Sequence, residues 1–557
     1  MSDRPDAAAT ASIFHHPDAV ESDDKPLAGR RTAGQSFLGG YARHVQADTL
    51  HCAAANQAHI EHFRELVTDY GWKGPVEGAF MHQPNTLTKP GVVFLPGPGL
   101  GAHAWPRRRI GQRAFSLCGI THTVSTKRIM EGMFDTITGP TESWDAIICT
   151  SKAVHSVVDT QLDEVETYLK RRFGARRVPR PQLPIIPLGI DTSRFETKPE
   201  WRKKWRDEFG VGEDGIVIMS MGRLSVFEKL HPAPLMIALE RAAQQTKKKI
   251  TLLMVGWFND QGTEKLHRIA AKQFAPSVQV DFPNGRDADL RYEIWSAADI
   301  FTLPVDNIQE TYGLAPVEAM AAGLPVVCSD WNGFKDTIVD CETGIRVRTL
   351  MSRPGVGRSI AERFENGQDN YHQYLGFVHQ RTAIDVPEMA EAFRSLIDNP
   401  DLRAKMGAAG KRRAKQLYDW QAVIPQYQAL WADMNARRHR EFPTSPREGV
   451  EAGNPAGVDP FRLYAQYPSD AITNPTVISA DAALTEEDLK NLVDWTGAAA
   501  LKRLVTSQEN ILQVSAMVAE RGPIRLDELA AKVGLTPAVT EGAVLWLAKY
   551  NRVRIDV

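Results

Sequence analysis

The sequence predicts an α/β protein: two Rossmann-like domains of alternating strands and helices, with a small, mainly helical module after them. Three observations lead there. Along most of the chain, short apolar runs that suit buried strands alternate with amphipathic stretches of helical spacing. At 557 residues the chain is well past the size at which a single core keeps growing. From Glu441 the composition changes, with Pro443, Pro446, Pro455 and Pro460 set among glycines and charges. The expected boundaries are 1–190 for the first domain, 191–435 for the second, 436–480 for a linker or arm and 481–557 for the module.

Composition narrows the function. The formal net charge is -2, which gives no reason to expect a nucleic-acid partner. Cys52, Cys118, Cys149, Cys328 and Cys341 lack metal-ligand spacing and read as free thiols of a reducing cytosol. No apolar run follows Met1-Ser2-Asp3-Arg4, and no segment approaches the length of a membrane span. A cytoplasmic protein is expected, with shallow attachment to the inner face of a membrane left open.

The first domain opens with a short strand, Ala11 to Phe14, ending at His15-His16-Pro17. These histidines suit a strand end better than a metal site, since Asp18 nearby completes no ligand spacing. A polar loop from Asp18 to Lys25 precedes Gly29, Gly34, Gly39 and Gly40, which fit close backbone approach to a phosphate or sugar before an amphipathic helix. Their spacing is not that of the dinucleotide fingerprint, so an oxidoreductase gains no support.

Asn56 to Asp69 is a one-faced helix through Ile60, Phe63, Leu66 and Val67. Gly91 to Pro96 is a strand entering the loop Gly97 to Gly101, and Arg107, Arg108 and Arg109 after it read as solvated charge. Ser116 to Ile120 is a strand that delivers His122 into Thr121-His122-Thr123. Trp144 to Thr150 is a strand with Ser151 as helix cap, the basic run Lys170 to Arg180 is surface, and Leu183 to Leu188 is a last strand.

The second domain begins with a charged helix, Trp201 to Phe209. Ile216 to Met221 is a strand running into Gly222-Arg223, with Lys229 six residues beyond the arginine. A planar guanidinium and a compact ammonium so placed can converge on a diphosphate. Strands at Ile250 to Val255 and Val278 to Phe282 alternate with helical stretches and lead to Ile300 to Val305. There Glu310 is followed by Tyr312-Gly313-Leu314-Ala315-Pro316, a helix carrying Glu318, and the strand Pro325 to Cys328. A helix starting near Leu314 turns backbone amides toward an anion, and the two glutamates can bracket a polar ligand.

The pattern from Glu310 through Gly323 to Val327 resembles the donor-binding signature of retaining glycosyltransferases of the GT-B fold, two Rossmann-like domains facing each other across a cleft, in glycosyltransferase family 4. The run around His122 resembles the segment of bacterial phosphatidylinositol mannosyltransferases that carries an active-site histidine. The likeness covers about residues 90–430, and 10–90 more loosely. It implies that Arg223 and Lys229 hold the diphosphate, that Glu310 meets donor-sugar hydroxyls and that Glu318 meets the ribose. Amides of Gly313, Leu314 and Ala315 would lie near sugar or diphosphate, His122 would meet a sugar hydroxyl, and Gly34 would sit in a loop facing the cleft. Trp331-Asn332-Gly333 departs from the family's commoner paired glycine.

The resemblance implies transfer of a sugar from a UDP- or GDP-sugar to a hydroxyl acceptor with retention, in cell-surface polysaccharide or glycolipid synthesis. The acceptor could be a glycan, a glycolipid or a small molecule. No carboxylate is placed as a nucleophile, which favours front-face displacement, and neither a metal nor a tightly bound cofactor is expected. Two alternatives stay open: a phosphorylase of the same fold, and a non-catalytic scaffold working through its C-terminal module.

Residues 351–384 read as an insertion in which Asn370, Tyr371, Tyr374 and His379 stand out, and Trp420 as the start of a helix crossing back to the first domain. In the tail, Leu526 to Leu535 resembles the first helix and turn of a winged-helix module. Its second helix, Pro537 to Tyr550, holds Glu541 and a single lysine, Lys549, which suits packing, self-association or partner binding better than DNA reading.

Overall fold

The computed structural model describes residues 9–19, 29–444, 453–481, 485–495 and 507–556. Two units emerge, Met1–Gly453 and Asn454–Val557. Within the first, strands β1 (Ser12–Phe14), β2 (Leu50–Ala54), β3 (Val76–Phe80), β4 (Val92–Phe94), β5 (Ser116–Ile120) and β6 (Ala146–Ile148) form one sheet. They alternate with α1 (Gly29–His44), α2 (Gln57–Asp69), α3 (Gly101–Ile110), α4 (Lys127–Thr138) and α5 (Lys152–Phe173). The order β3-β2-β1-β4-β5-β6, parallel throughout, is the doubly wound arrangement whose ligand crevice opens at the carboxyl ends of β1 and β4.

The second domain repeats the plan. Strands β7 (Ile216–Met221), β8 (Ile250–Val255), β9 (Gln279–Asp281), β10 (Ile300–Leu303), β11 (Val326–Ser329) and β12 (Gly344–Val347) lie in the order β12-β11-β10-β7-β8-β9, again parallel. The helices are α6 (Pro199–Glu208), α7 (Pro232–Ala243), α8 (Gln261–Phe274), α9 (Ala288–Glu293), α10 (Leu314–Ala321) and the short α11 (Phe334–Thr337). Here the winding reverses between β7 and β10, so their carboxyl ends define the crevice. The insertion is a hairpin of β13 (Thr349–Met351) and β14 (Thr382–Ile384), carrying α12 (Arg358–Glu365) and α13 (Tyr371–His379). Helices α14 (Val386–Asp398) and α15 (Pro400–Arg413) complete the domain.

Helix α16 (Trp420–Arg440) crosses to the first domain, where Val423, Tyr427, Trp431 and Met434 join the core of β1, β2 and β4. This contact explains one of the early glycines. Expected to form a loop, they lie inside α1, and a Cβ on Gly40 would stand within the ring of Trp420. Gly34 is in the second turn of that helix, not in a loop; the polar segment before it lies mostly outside the described residues.

Two further expectations change. Leu183 to Leu188 makes only isolated bridges beside β6, because Pro181, Pro184 and Pro187 remove the amides a ladder needs. Arg107 is no surface charge: it is fully buried, 2.6 and 2.9 Å from the two oxygens of Asp145, and donates to the carbonyls of Phe115 and Pro140. Asp145 also accepts from the amides of Leu117 and Glu142, so the pair ties α3, β5 and β6 into one block.

In the second unit, the short helix α17 (Pro460–Leu463) leaves Phe461 and Tyr467 exposed. Strand β15 (Val477–Ala480), within the stretch expected as linker, lies between β16 (Ile524–Arg525) and β17 (Val553–Asp556), antiparallel to both. Helices α18 (Glu486–Trp495), α19 (Gln508–Arg521), α20 (Leu526–Val533) and α21 (Pro537–Lys549) pack over it through Ile511, Val514, Leu529 and Val544.

Candidate active site

The loops leaving β7 and β10 meet where the winding reverses, and side chains lock them together. Asn307 Nδ2 donates to Phe227 O at 2.6 Å, and His231 N donates to Asp306 Oδ1 at 3.3 Å. Lys229 Nζ then lies 2.8 Å from Glu310 Oε2. Burial alone would raise the Glu310 carboxyl; the Lys229 ammonium, helped by the amides of Thr311 and Tyr312, outweighs it and holds the group below its ordinary value. Glu310 is therefore a carboxylate at neutral pH, an acceptor for hydroxyl protons. Arg223 enters the same space from Gly222, with its guanidinium against Glu228 and 3.4 Å from Gln309 Oε1.

The turn that departs from the family pattern supports this loop. Asn332 Nδ2 donates to Glu310 O at 2.7 Å, and Trp331 Nε1 to Asn307 O at 3.0 Å. Gly313, which caps α10 at φ +84, packs so tightly against the ring of Phe334 that a Cβ there would collide with it. The amides of Leu314 and Ala315 follow at the helix start.

Glu318 faces a different part of the cleft, a cavity of about 140 Å³ between α1 and α10. Ser36, Gly39 and Arg43 line it from the first domain, Met221, Arg291, Tyr292 and Leu314 from the second. Met221 also borders the pocket of Arg223 and Lys229, so the two spaces adjoin. Burial pushes the Glu318 carboxyl up to about 7, with Arg291 pulling the other way. Gly34 is not among the lining residues.

The first domain meets this group at the end of β5. Thr311 Oγ1 donates to the carbonyl of His122 at 2.8 Å, and Ser151 Oγ donates to Thr311 O at 3.0 Å. The residue after Glu310 is thereby pinned to His122, so two segments 189 positions apart share one wall. Arg223, Lys229 and Glu310 are brought together, the backbone of His122 reaches the same loop through Thr311, and Glu318 adjoins them through Met221.

Sequence reasoning missed Arg43, Arg291, Glu228 and His372. Glu228 had a signal, its place beside Lys229; His372 had only that of its neighbour Tyr371. Of the residues singled out in the insertion, Tyr371 reaches the first domain, 2.8 Å from Ser125 Oγ, Asn370 caps α13, and His379 is buried 3.7 Å from Asp306. Asp287 and Asp289 have an Asp-x-Asp spacing that sequence reasoning passed over. Among the described residues, no group of three or more His, Cys, Asp or Glu is arranged to hold a metal ion.

Residues 202–350, which carry Arg223 to Glu318, match the family model described as "Glycosyl transferases group 1". The chain is a GT-B-fold relative of the group 1 glycosyltransferases. This relative is 25% identical over 264 residues to a GDP-mannose-dependent alpha-(1-6)-phosphatidylinositol monomannoside mannosyltransferase of Mycolicibacterium smegmatis, covering 46% of this chain and 58% of that one. It is 25% identical over 171 residues to a D-inositol 3-phosphate glycosyltransferase of Nocardia farcinica, covering 30% of this chain and 37% of the other. The match thus spans little more than half of these relatives, or less. In structure, HepE of Anabaena in complex with UDP aligns over 76% of this chain and all of its own, with TM-score 0.50 and 15% identity, a likeness of fold. Among the described residues no helix is long and apolar enough to cross a membrane.

Proposed function

We propose that this GT-B relative transfers a sugar from a UDP- or GDP-sugar to a hydroxyl acceptor with retention at the anomeric carbon. The observation that carries the reading is the meeting of His122 and Glu310 through Thr311, beside Lys229. The diphosphate binds Arg223 and Lys229, and their charge stabilises the departing nucleotide. One preorganised donor of this kind contributes roughly 10²–10³-fold to rate.

Glu310, ionised beside Lys229, accepts hydrogen bonds from the donor sugar, and His122 holds another sugar hydroxyl from the opposite domain. Glu318, titrating near neutrality, receives the ribose hydroxyls in the cavity between α1 and α10. With the carboxylates committed to binding, the acceptor hydroxyl attacks from the face the nucleotide leaves. The acceptor is a glycan, glycolipid or small molecule of cell-surface synthesis, reached in the cytoplasm or from the inner face of the membrane. The names of the relatives, which act on inositol-bearing acceptors or use GDP-mannose, support that class. The C-terminal module serves self-association or partner docking.

The test is a panel of UDP-, GDP- and ADP-sugars, with release of the nucleoside diphosphate followed with and without acceptor. Selective turnover of one donor, lost in Glu310→Gln and Lys229→Met, is expected. The proposal is refuted if no donor is bound and none is turned over.

A further inference from the structure

The insertion touches both loops that carry the proposed chemistry. On one side, Tyr371 Oη meets Ser125 Oγ three residues beyond His122, and Lys127 Nζ donates to Glu365 O at 3.1 Å. On the other, His372 Nε2 lies 2.5 Å from Glu228 Oε1, while the second oxygen of Glu228 faces the Arg223 guanidinium. Guanidinium, carboxylate and imidazole stand in a row. The carboxylate is 7% exposed, against 30% for Arg223 and 59% for His372. Glu228 sets one carboxylate oxygen against one end of the Arg223 guanidinium, a place where a phosphate oxygen would compete with it. Lys229 is held in a similar way, but its partner Glu310 has the donor sugar to bind; Glu228 has no such second task.

We propose that Glu228 is an internal stand-in for the donor diphosphate: it occupies Arg223 until a nucleoside diphosphate displaces it, and His372 of the insertion then retains the displaced carboxylate. This rests on the reading of Arg223 as a diphosphate-binding residue. Glu228 and His372 are positioning residues under this scheme. Donor occupancy is passed along α13 to the Tyr371 to Ser125 contact, and so to the segment that carries His122.

Calorimetric titration of the full chain with UDP, GDP and ADP, and with the matching monophosphates, tests it. Glu228→Gln keeps the shape and removes the competing charge; it is expected to bind the preferred diphosphate about tenfold tighter and the monophosphate within about twofold of wild type. His372→Ala is expected to weaken diphosphate binding about threefold alone and to do nothing in the Glu228→Gln background. Diphosphate binding that is unchanged or weaker in Glu228→Gln overturns the inference and makes Glu228 a support for Arg223. Equal tightening for the monophosphate overturns it too. If the wild type binds no nucleoside diphosphate, the nucleotide-sugar reading itself falls, and this with it. Should Glu228→Gln fail to melt cooperatively, hydrogen exchange of residues 358–379 in the wild type decides: a change with diphosphate but not monophosphate supports the relay, and no difference refutes it.

Discussion

Replacing Lys229 with methionine separates two consequences of one ammonium. The variant keeps the length of the side chain and loses its charge. Turnover of the preferred donor is expected to fall about 10²–10³-fold, with most of the loss in kcat. Stability changes as well, because Glu310 loses the partner that holds its carboxyl down. Breaking a fully buried pair costs about 3–5 kcal/mol. Lys229 is 29% exposed and the amides of Thr311 and Tyr312 remain, so about 2 kcal/mol is a fair expectation, or roughly 5 °C in a domain of this size.

The sign of the pH dependence inverts. In the wild type the folded-state pKa of Glu310 is depressed, so its contribution is present above the unfolded value, about 4.3, and lost as pH falls through the folded one. In Lys229→Met burial prevails and the pKa is raised; stability is then full below about 4.3 and lost as pH rises through the folded value. Thermal melts from pH 4 to 8, with initial rates at pH 7, measure both effects. Lys229→Met/Glu310→Gln is expected to melt above the single variant at pH 7. The reasoning is refuted by a single variant that melts like wild type across this range, by a double variant no more stable than the single, or by a rate loss under tenfold.

Gly313→Ala combines a positive φ with a collision against Phe334, and is expected to cost about 2–4 kcal/mol, with Phe334→Leu restoring part of it in denaturation. Arg107→Met strands the buried Asp145 and is expected to destabilise the first domain by about 3–5 kcal/mol; in protein that remains folded, nucleotide binding is unchanged by titration. Affinity for the nucleotide-sugar, whose diphosphate does not ionise in this range, is expected to rise between pH 6 and 8 as Glu318 ionises and accepts the ribose hydroxyls. Glu318→Gln is expected to flatten that profile, and a pH dependence that survives the substitution refutes the assignment.

The strand rhythm and the segments after β7 and β10 were legible because parallel strands buried on both faces are written as local apolar runs. The loops that follow them sit at the reversal of winding by topology alone. What escaped was set by distant partners. Position 40 of the helix has room only for glycine because of Trp420, and nothing near residue 40 announces that ring. Arg107 looks like its neighbours Arg108 and Arg109 until Asp145, 38 residues on, is placed beside it. The joining of His122 to Glu310 through Thr311 and the reach of His372 to Glu228 likewise depend on contacts across the cleft.

The chain passes between the Rossmann-like domains twice, at Ile190 and at Asp419, and the two passes run side by side. Ile190 N donates to Tyr418 O, Trp420 N donates back to Ile190 O, and the indole is seated between Gly40 and Gly189. Such a seam works as a book's spine. A turn of one half against the other would pivot here, because both covalent links between the domains lie along this seam. At the free edge the same rotation would part Thr311 from His122, Tyr371 from Ser125, Lys127 from Glu365 and the Lys152 amide from Asp336, so a handful of polar contacts spans the mouth.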